Sequence, residues 1–229
     1  MDFTQWLRQL DFQWFLNTAV LVAAALLCII VHELCHGLAA YRLGDPTAKA
    51  AGRLTLNPLR HIDWVGLLAM AIFKFGWARP VPVNARNFKH PKLGMALTAL
   101  AGPVSNLLLA ILFSWIASVL TAFYKVFESD AWYYLILFLE YVVMLSVGLA
   151  VFNLFPIPPL DGSKILFSLL PDRIYAKILR YEKYGMLLLV VLLFFNVLDT
   201  PLLFLRNEVL RFISSISQWP YNIMVNFLI

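Results

Sequence analysis

The chain has 229 residues, of which 62% are hydrophobic and only 14% are charged. Soluble globular proteins are roughly 45–50% apolar and about 25% charged, so this chain has too few charges to cover a water-exposed surface. The composition excludes a soluble enzyme, a disulfide-stabilised secreted scaffold and a disordered tail. It indicates an integral membrane protein.

The apolar segments, in chain order, predict an all-α polytopic membrane protein with about five to six transmembrane or re-entrant helical segments. Residues 3–13 have the spacing of an amphipathic interfacial helix, and the N-terminus shows no removable signal peptide. Four runs reach the ~20 apolar residues that a span needs. They are residues 14–41, 93–124, 132–155 and 186–205. Residues 64–73 are too short to cross alone and indicate a re-entrant segment, whereas residues 209–229 either span the membrane or lie in the interface.

No loop is long enough to hold a soluble domain, so we predict one membrane-embedded domain over residues 1–229. Its core is residues 14–165, and residues 184–229 are accessory helices. Two β-prone stretches, residues 47–57 and 79–84, predict a small β-sheet at the cytoplasmic face. The prolines of the second stretch restrict it to a sheet edge, because proline has no N–H to donate.

Lys and Arg outnumber Asp and Glu by 18 to 13, which gives a formal net charge of +5. Fourteen of the eighteen cations lie in three loops, residues 42–63, 74–92 and 164–183. Short loops rich in Lys and Arg face the cytoplasm, so we expect the N-terminus outside. The basic charge therefore needs no nucleic-acid partner. We predict a multi-pass protein of a prokaryotic plasma membrane.

The first predicted span contains the sequence His32-Glu33-Leu34-Cys35-His36. Positions i and i+4 of a helix lie on one face, so the two imidazoles can bind one metal ion. Glu33 lies beside them and suits a general base that acts on water at the metal. The alternative is two core histidines and a buried glutamate. A charged group at the bilayer centre costs about 3 kcal/mol unless it is paired, and this favours the metal site.

The third predicted span ends in Asn153-Leu-Phe-Pro-Ile-Pro-Pro-Leu-Asp161-Gly162. Prolines end regular helix, and irregular backbone at membrane depth is tolerated only where it is buried in protein or lines a cavity. Asp161 would then be a carboxylate near membrane depth that needs a cation. Opposite His32 and His36 it would complete a site. The alternative is that Pro-Pro-Leu-Asp-Gly only forms a turn at a helix end.

An HExxH motif in a transmembrane helix followed by NxxPxPxLDG resembles the site-2 protease family of intramembrane zinc metalloproteases. The resemblance implies one Zn²⁺ per chain, with His32, His36 and Asp161 as ligands and Glu33 as the catalytic base. Residues 101–106, Ala-Gly-Pro-Val-Ser-Asn, match a further family feature. Family members often carry a PDZ or CBS domain. This chain has room for neither and resembles a minimal, core-only member.

The resemblance implies an endopeptidase that cleaves within or near transmembrane segments of membrane proteins in the lipid bilayer. Regulated intramembrane proteolysis and the clearance of signal-peptide remnants both fit, and the site would open to the cytoplasm. A homo-oligomer is compatible with the sequence. A membrane metal-ion transporter is an alternative, although it would not need a base between two histidine ligands. A catalytically inactive homologue is another, although all four site residues are present.

Two further roles are expected for polar and loop residues. Asn106 is a candidate donor to the oxyanion of the transition state, with an interhelical hydrogen bond as the alternative. The predicted edge strand could bind an extended substrate by strand addition. Its residues are Arg79, Pro80, Val81, Pro82, Val83 and Asn84. Glu140 is a second carboxylate inside a predicted span, and we interpret it as structural.

Overall fold

The structure is a computed structural model that describes residues 12–63, 79–124, 130–171, 173–175 and 184–228. Its α-helices are α1 (Phe12–Arg42), α2 (Thr47–Ala50), α3 (Pro91–Tyr124), α4 (Asp130–Asn153), α5 (Asp161–Ser168), α6 (Gly185–Phe194) and α7 (Asp199–Leu228). Two short 3-10 helices, Pro58–Arg60 and Ala85–Asn87, lie in the loops between α2 and α3.

Three of these helices are long and apolar enough to cross a membrane. Their most apolar windows in α1, α3 and α4 have mean hydropathies of 2.5, 2.1 and 2.4. Many large side chains on their outer surfaces are exposed, including Leu108 at 62% and Leu112 at 51%. Such apolar surface is suited to lipid rather than to water. The three spans predicted between residues 14 and 155 are therefore confirmed as helices of spanning length.

The predicted fourth span, residues 186–205, is not one continuous helix, because the chain turns within it. Helix α6 ends at Phe194 and α7 begins at Asp199, and the two axes differ by 87°. Asn196 between them has a φ of 56°, a left-handed conformation that asparagine adopts more readily than most residues. The described residues thus hold three candidate spans, or four if the bent pair is one span, rather than five to six. Residues 209–228 belong to α7, whereas the segments predicted at 3–11 and 64–73 lie outside the described residues.

The predicted small β-sheet is also wrong for the part of the chain that the structure describes. Residues 47–57 begin with α2, whose sequence Thr-Ala-Lys-Ala contains good helix formers. Residues 79–84 have no regular secondary structure. Two of their N–H groups bind carboxylates instead of a neighbouring strand, since Val81 donates to Glu33 and Asn84 donates to Asp45. The prolines at 80 and 82 have no N–H, so no ladder forms.

Helix α3 is central to the described helices and contacts α1, α4, α5 and α7. Small buried side chains allow this close packing, and the Sγ of Cys28 in α1 lies 3.2 Å from the Oγ of Ser146 in α4.

The basic loops meet at one end of the helices. There the Lys92 ammonium donates to the Leu170 carbonyl, and the Arg79 N–H donates to the His61 carbonyl at 2.9 Å.

Candidate metal centre

Two histidines of α1 face the interior of the helix bundle. His32 and His36 are one helical turn apart, and their exposed fractions are only 6% and 9%. Their Nε2 atoms are 3.0 Å apart. The i, i+4 spacing of the sequence therefore brings both imidazoles to one point, as predicted.

Asp161 reaches the same point from the first turn of α5. Helix α4 ends at Asn153, and residues 154–160 run irregularly before α5 begins at Asp161. Gly162 allows this path, because a Cβ there would lie 2.5 Å from the Phe155 carbonyl oxygen. The Asp161 Oδ2 atom lies 3.2 Å from His32 Nε2 and 3.1 Å from His36 Nε2. The predicted break in the helix is confirmed, and it places a buried carboxylate against both imidazoles.

The distances among these three atoms fit a metal ion. Zn²⁺ binds histidine nitrogen and carboxylate oxygen at about 2.0–2.2 Å, so tetrahedral ligand atoms lie about 3.3 Å apart. The three atoms are 3.0–3.2 Å apart. They also belong to the one group of described His, Cys, Asp and Glu residues that could hold a metal. This donor set is one that catalytic zinc accepts.

The far sides of the two imidazoles are also arranged for metal binding. The His36 Nδ1–H donates to the Thr98 carbonyl at 2.7 Å, which leaves the Nε2 lone pair for a metal. The Nδ2 atom of the Asn106 amide lies 3.3 Å from His32 Nδ1, while the Oδ1 atom of the same amide has no partner among the described residues. If the amide is turned over, Oδ1 accepts from the His32 Nδ1–H and both groups are satisfied.

A glycine of α3 makes room for the centre. The nearest atoms to a Cβ built on Gly102 are those of the two histidine rings, at 2.5 Å from His36 Cε1 and 2.6 Å from His32 Cε1. Real Cβ atoms do not approach other atoms so closely. Any larger residue at position 102 would thus displace the imidazoles.

The centre lies in the wall of a cavity of about 330 Å³. Glu33 also lines this cavity, and its Oε2 accepts a hydrogen bond of 2.8 Å from the Val81 N–H. Lys164 lines it as well, with its Nζ 3.7 Å from Asp161 Oδ1. The cavity therefore combines three atoms that could bind a metal, a further carboxylate and a cation.

The predicted edge segment lies partly against this cavity. Pro80, Val81 and Val83 line it, and Arg79, Pro80 and Pro82 line a second cavity. Asn84 does neither, and its N–H and side chain take part in loop hydrogen bonds. Five of the six predicted residues thus line one or both cavities, although the segment is not a strand.

Two further residues that the sequence singled out, Asn106 and Glu140, are not among the described residues that line the cavity. Asn106 is fully buried behind His32 and is not among the described residues that line the cavity. Its position suits holding the imidazole better than contacting substrate. Glu140 is exposed on α4, in a helix whose outer face is apolar, and it lies outside the cavity lining.

Sequence reasoning missed Asp45, which organises the loops beside the centre. Asp45 is fully buried and accepts hydrogen bonds from Thr47, from the Asn84 N–H and from the Asn87 side chain. Burial alone would raise the pKa of Asp45, but these hydrogen bonds lower it below the ordinary aspartate value. The Gly-Asp-Pro-Thr sequence carried a turn signal, but nothing in it indicated partners some 40 residues away.

Sequence reasoning also missed Lys164 and Thr98. A lysine three residues after Asp161 on a helix has the spacing of an ion pair, and that signal was available. Thr98 contributes its backbone carbonyl, which no side-chain pattern can indicate.

Comparison with known proteins places the chain among peptidases. Residues 20–197 match the family described as "Peptidase family M50". A Bacillus subtilis (strain 168) protein named "Putative zinc metalloprotease YwhC" is 39% identical over 203 residues, which cover 86% of this chain and 92% of that protein. "Putative zinc metalloprotease Rip2" of Mycolicibacterium smegmatis is 31% identical over 178 residues, which cover 76% of this chain and 66% of that protein. No solved structure matches the chain significantly.

The region that matches the family contains all of the residues that meet at the centre, from His32 in α1 to Asp161 in α5. It also contains α3, α4 and all of α1 except residues 12–19. The chain therefore belongs to peptidase family M50, the site-2 protease family, and it is an integral membrane protein.

Proposed function

We propose that the chain is a membrane zinc endopeptidase that hydrolyses peptide bonds within or near transmembrane segments. The observation that carries this proposal is the convergence of His32 Nε2, His36 Nε2 and Asp161 Oδ2 within 3.0–3.2 Å, in a cavity that Glu33 also lines. The names of the Bacillus and mycobacterial relatives as zinc metalloproteases support it.

One Zn²⁺ per chain would be held by His32, His36 and Asp161. Three protein ligands leave a position open, as catalytic zinc requires. Zn²⁺ supplies a Lewis acid that polarises the scissile carbonyl and makes water more acidic. Thr98 and Asn106 keep the two imidazoles in the tautomer and orientation that this role needs.

Glu33 acts as the general base and then as the general acid. Its carboxylate lines the cavity beside the ligand atoms, where it can take the proton of the attacking water and deliver it to the leaving amine. The hydrogen bond from Val81 fixes one carboxylate oxygen, and the other, which has no partner among the described residues, can accept that proton. We assign Asn106 to positioning His32 rather than to the oxyanion, since it is buried behind the ring.

The depth of the centre supports a substrate bond at membrane level. His32 lies ten residues before the end of α1 at Arg42, which corresponds to about 15 Å along the helix. A helical substrate hides its amides in internal hydrogen bonds, so the segment to be cleaved must first unwind. We propose that the unwound segment docks along Pro80, Val81 and Val83, which line the cavity.

The proposed setting is the plasma membrane of a prokaryote, with the N-terminus outside and the cavity open to the cytoplasm. The contacts that join the three basic loops at one end of the helices support this orientation. The partners are a membrane protein substrate and the lipid bilayer, and a homo-oligomer is compatible with this arrangement. Regulated release of a tethered protein and clearance of signal-peptide remnants both use the same chemistry.

Replacement of Glu33 by Gln tests the proposal. The purified variant should retain zinc but should not cleave a peptide substrate that contains a transmembrane segment, because an amide cannot accept the proton. Glu140→Gln is the matched control, since it makes the same change on the exposed face of α4. Cleavage by Glu33→Gln at the wild-type rate would refute the mechanism. Zinc transport by this variant in proteoliposomes would favour the transporter alternative.

A further inference from the structure

A second cavity, of about 390 Å³, borders the same segment as the catalytic cavity, and Pro80 lines both. Three arginines, Arg53, Arg60 and Arg79, line it, and its other lining residues are apolar. No carboxylate is among the described residues of its wall. Three cations around one space repel one another unless an anion lies between them.

Arg53 is the innermost of the three cations. Its exposed fraction is 6%, and one of its Nη atoms donates to the Arg79 carbonyl at 2.6 Å. Its buried Nε has no hydrogen-bond partner in the described part of the chain. A buried guanidinium N–H without an acceptor is costly, so a negative charge close to Arg53 would stabilise it.

The charged groups around Arg53 destabilise its positive charge more than they stabilise it. Burial and the neighbouring charges of Arg79 and Arg60 lower the pKa of Arg53, and the charge of Glu33 offsets only part of this effect. Arginine nonetheless remains protonated in proteins. An anion in the cavity would relieve the repulsion among the three guanidinium groups.

We propose that the cavity lined by Arg53, Arg60 and Arg79 is an anion-binding site and that its ligand is a phosphate group. The planar guanidinium matches phosphate oxygens with two parallel hydrogen bonds, and such charge-assisted bonds are about twice as strong as neutral ones. The phosphate of an anionic lipid headgroup and that of a small soluble phosphate ester offer the same chemistry.

The site shares a wall with the catalytic cavity. Pro80 lines both cavities. On one side of Pro80 in the sequence, the Arg79 carbonyl accepts a hydrogen bond from Arg53, and on the other side the Val81 N–H donates to Glu33. A phosphate group on the arginines would therefore fix the segment that also borders the metal centre.

The test uses the purified full-length chain in detergent and three matched variants. Arg60→Ala removes an exposed guanidinium from the cavity, and Arg86→Ala removes an exposed guanidinium from the neighbouring 3-10 helix outside the cavity. Arg53→Ala is the stronger change, but it also releases the Arg79 carbonyl, so Arg60→Ala is the deciding variant. Inorganic phosphate is titrated while the unfolding temperature is recorded. Separately, phosphatidylglycerol retained from nanodiscs is counted by native mass spectrometry.

Phosphate or phosphatidylglycerol should bind the wild type and Arg86→Ala alike, and Arg60→Ala should weaken binding about tenfold or more. Arg60-dependent binding of inorganic phosphate supports a soluble phosphate ester as the ligand. Arg60-dependent retention of phosphatidylglycerol alone supports a lipid headgroup. Absence of both forms of binding would overturn the proposal. Equal loss of binding in Arg60→Ala and Arg86→Ala would also overturn it, because that result indicates only general attraction to a basic face. Phosphate bound at the metal centre would respond to neither arginine and would count against the proposal equally.

Discussion

The backbone N–H of Val81 donates a 2.8 Å hydrogen bond to the Glu33 carboxylate. Glu33 belongs to α1, whereas Val81 belongs to the loop that precedes α3. The loop therefore orients the proposed base as well as bordering the catalytic cavity. This relationship links substrate docking and proton transfer to the same few residues.

Val81→Pro should lower kcat without reducing zinc content, because proline has no N–H to orient Glu33. Loss of one hydrogen bond to a charged group, worth about 1.5–3 kcal/mol, predicts a decrease in kcat of about tenfold to a hundredfold. Val81→Ala keeps the N–H and is the control. Steady-state cleavage of a transmembrane peptide measures the effect, and equal rates for the two variants would show that the hydrogen bond has no role.

Gly102→Ala should remove zinc from the purified protein, because the new Cβ would occupy the space of the two histidine rings. We expect zinc affinity to fall by about 10–100-fold or more, as when a group that orients a ligand is lost. Gly148→Ala is the control, since a Cβ there has no atom within 4 Å. The control should keep its zinc and gain up to about 1 kcal/mol in unfolding free energy from better helix propensity. Metal analysis after dialysis distinguishes the two, and full zinc occupancy in Gly102→Ala would contradict the described site.

Substitutions of Asn106 separate the two roles considered for it. If it positions His32, Asn106→Leu should weaken zinc binding by about tenfold or more, whereas Asn106→Asp should retain zinc because a carboxylate also accepts from the Nδ1–H. If it instead donates to the oxyanion, both variants should keep zinc and lose kcat. A zinc competition titration decides between these outcomes.

Asp45 should make folding stability depend on acid pH. Its folded-state pKa lies below the ordinary aspartate value of about 3.9, so its ionised form stabilises the fold. That stabilisation is complete above the ordinary pKa and is lost as the pH falls through the lower folded-state pKa. The difference in unfolding temperature between the wild type and Asp45→Asn should therefore be large at pH 7 and should shrink toward pH 3. A difference that grows on acidification would contradict the hydrogen-bond pattern around Asp45.

The metal centre could be predicted from the sequence because its geometry is local or strongly marked. The spacing of His32 and His36 fixes a common helix face, and the prolines before Asp161 mark an irregular segment at membrane depth. The three long spans could be predicted for a similar reason, since lipid requires continuous apolar runs.

The remaining features depend on contacts between distant parts of the chain. Strand propensity suggested a sheet at residues 79–84, but the carboxylates of Glu33 and Asp45 bind two of the N–H groups that a ladder would need. The apolar run at 186–205 suggested one span, but hydropathy does not register the left-handed turn at Asn196. Asn106 was identified as important, yet only the fold places it behind His32 rather than in the cavity.

X-ray absorption at the zinc edge of the purified wild-type protein tests the central claim most directly. We predict one zinc per chain with two imidazole nitrogens and the remaining ligands oxygen, at about 2.0–2.2 Å. In Asp161→Ala, the zinc should be lost or should exchange the carboxylate for water, while the imidazole signal persists in any metal that remains. A sulfur ligand at about 2.3 Å, or a wild-type spectrum with no imidazole scattering, would contradict a centre built from His32, His36 and Asp161.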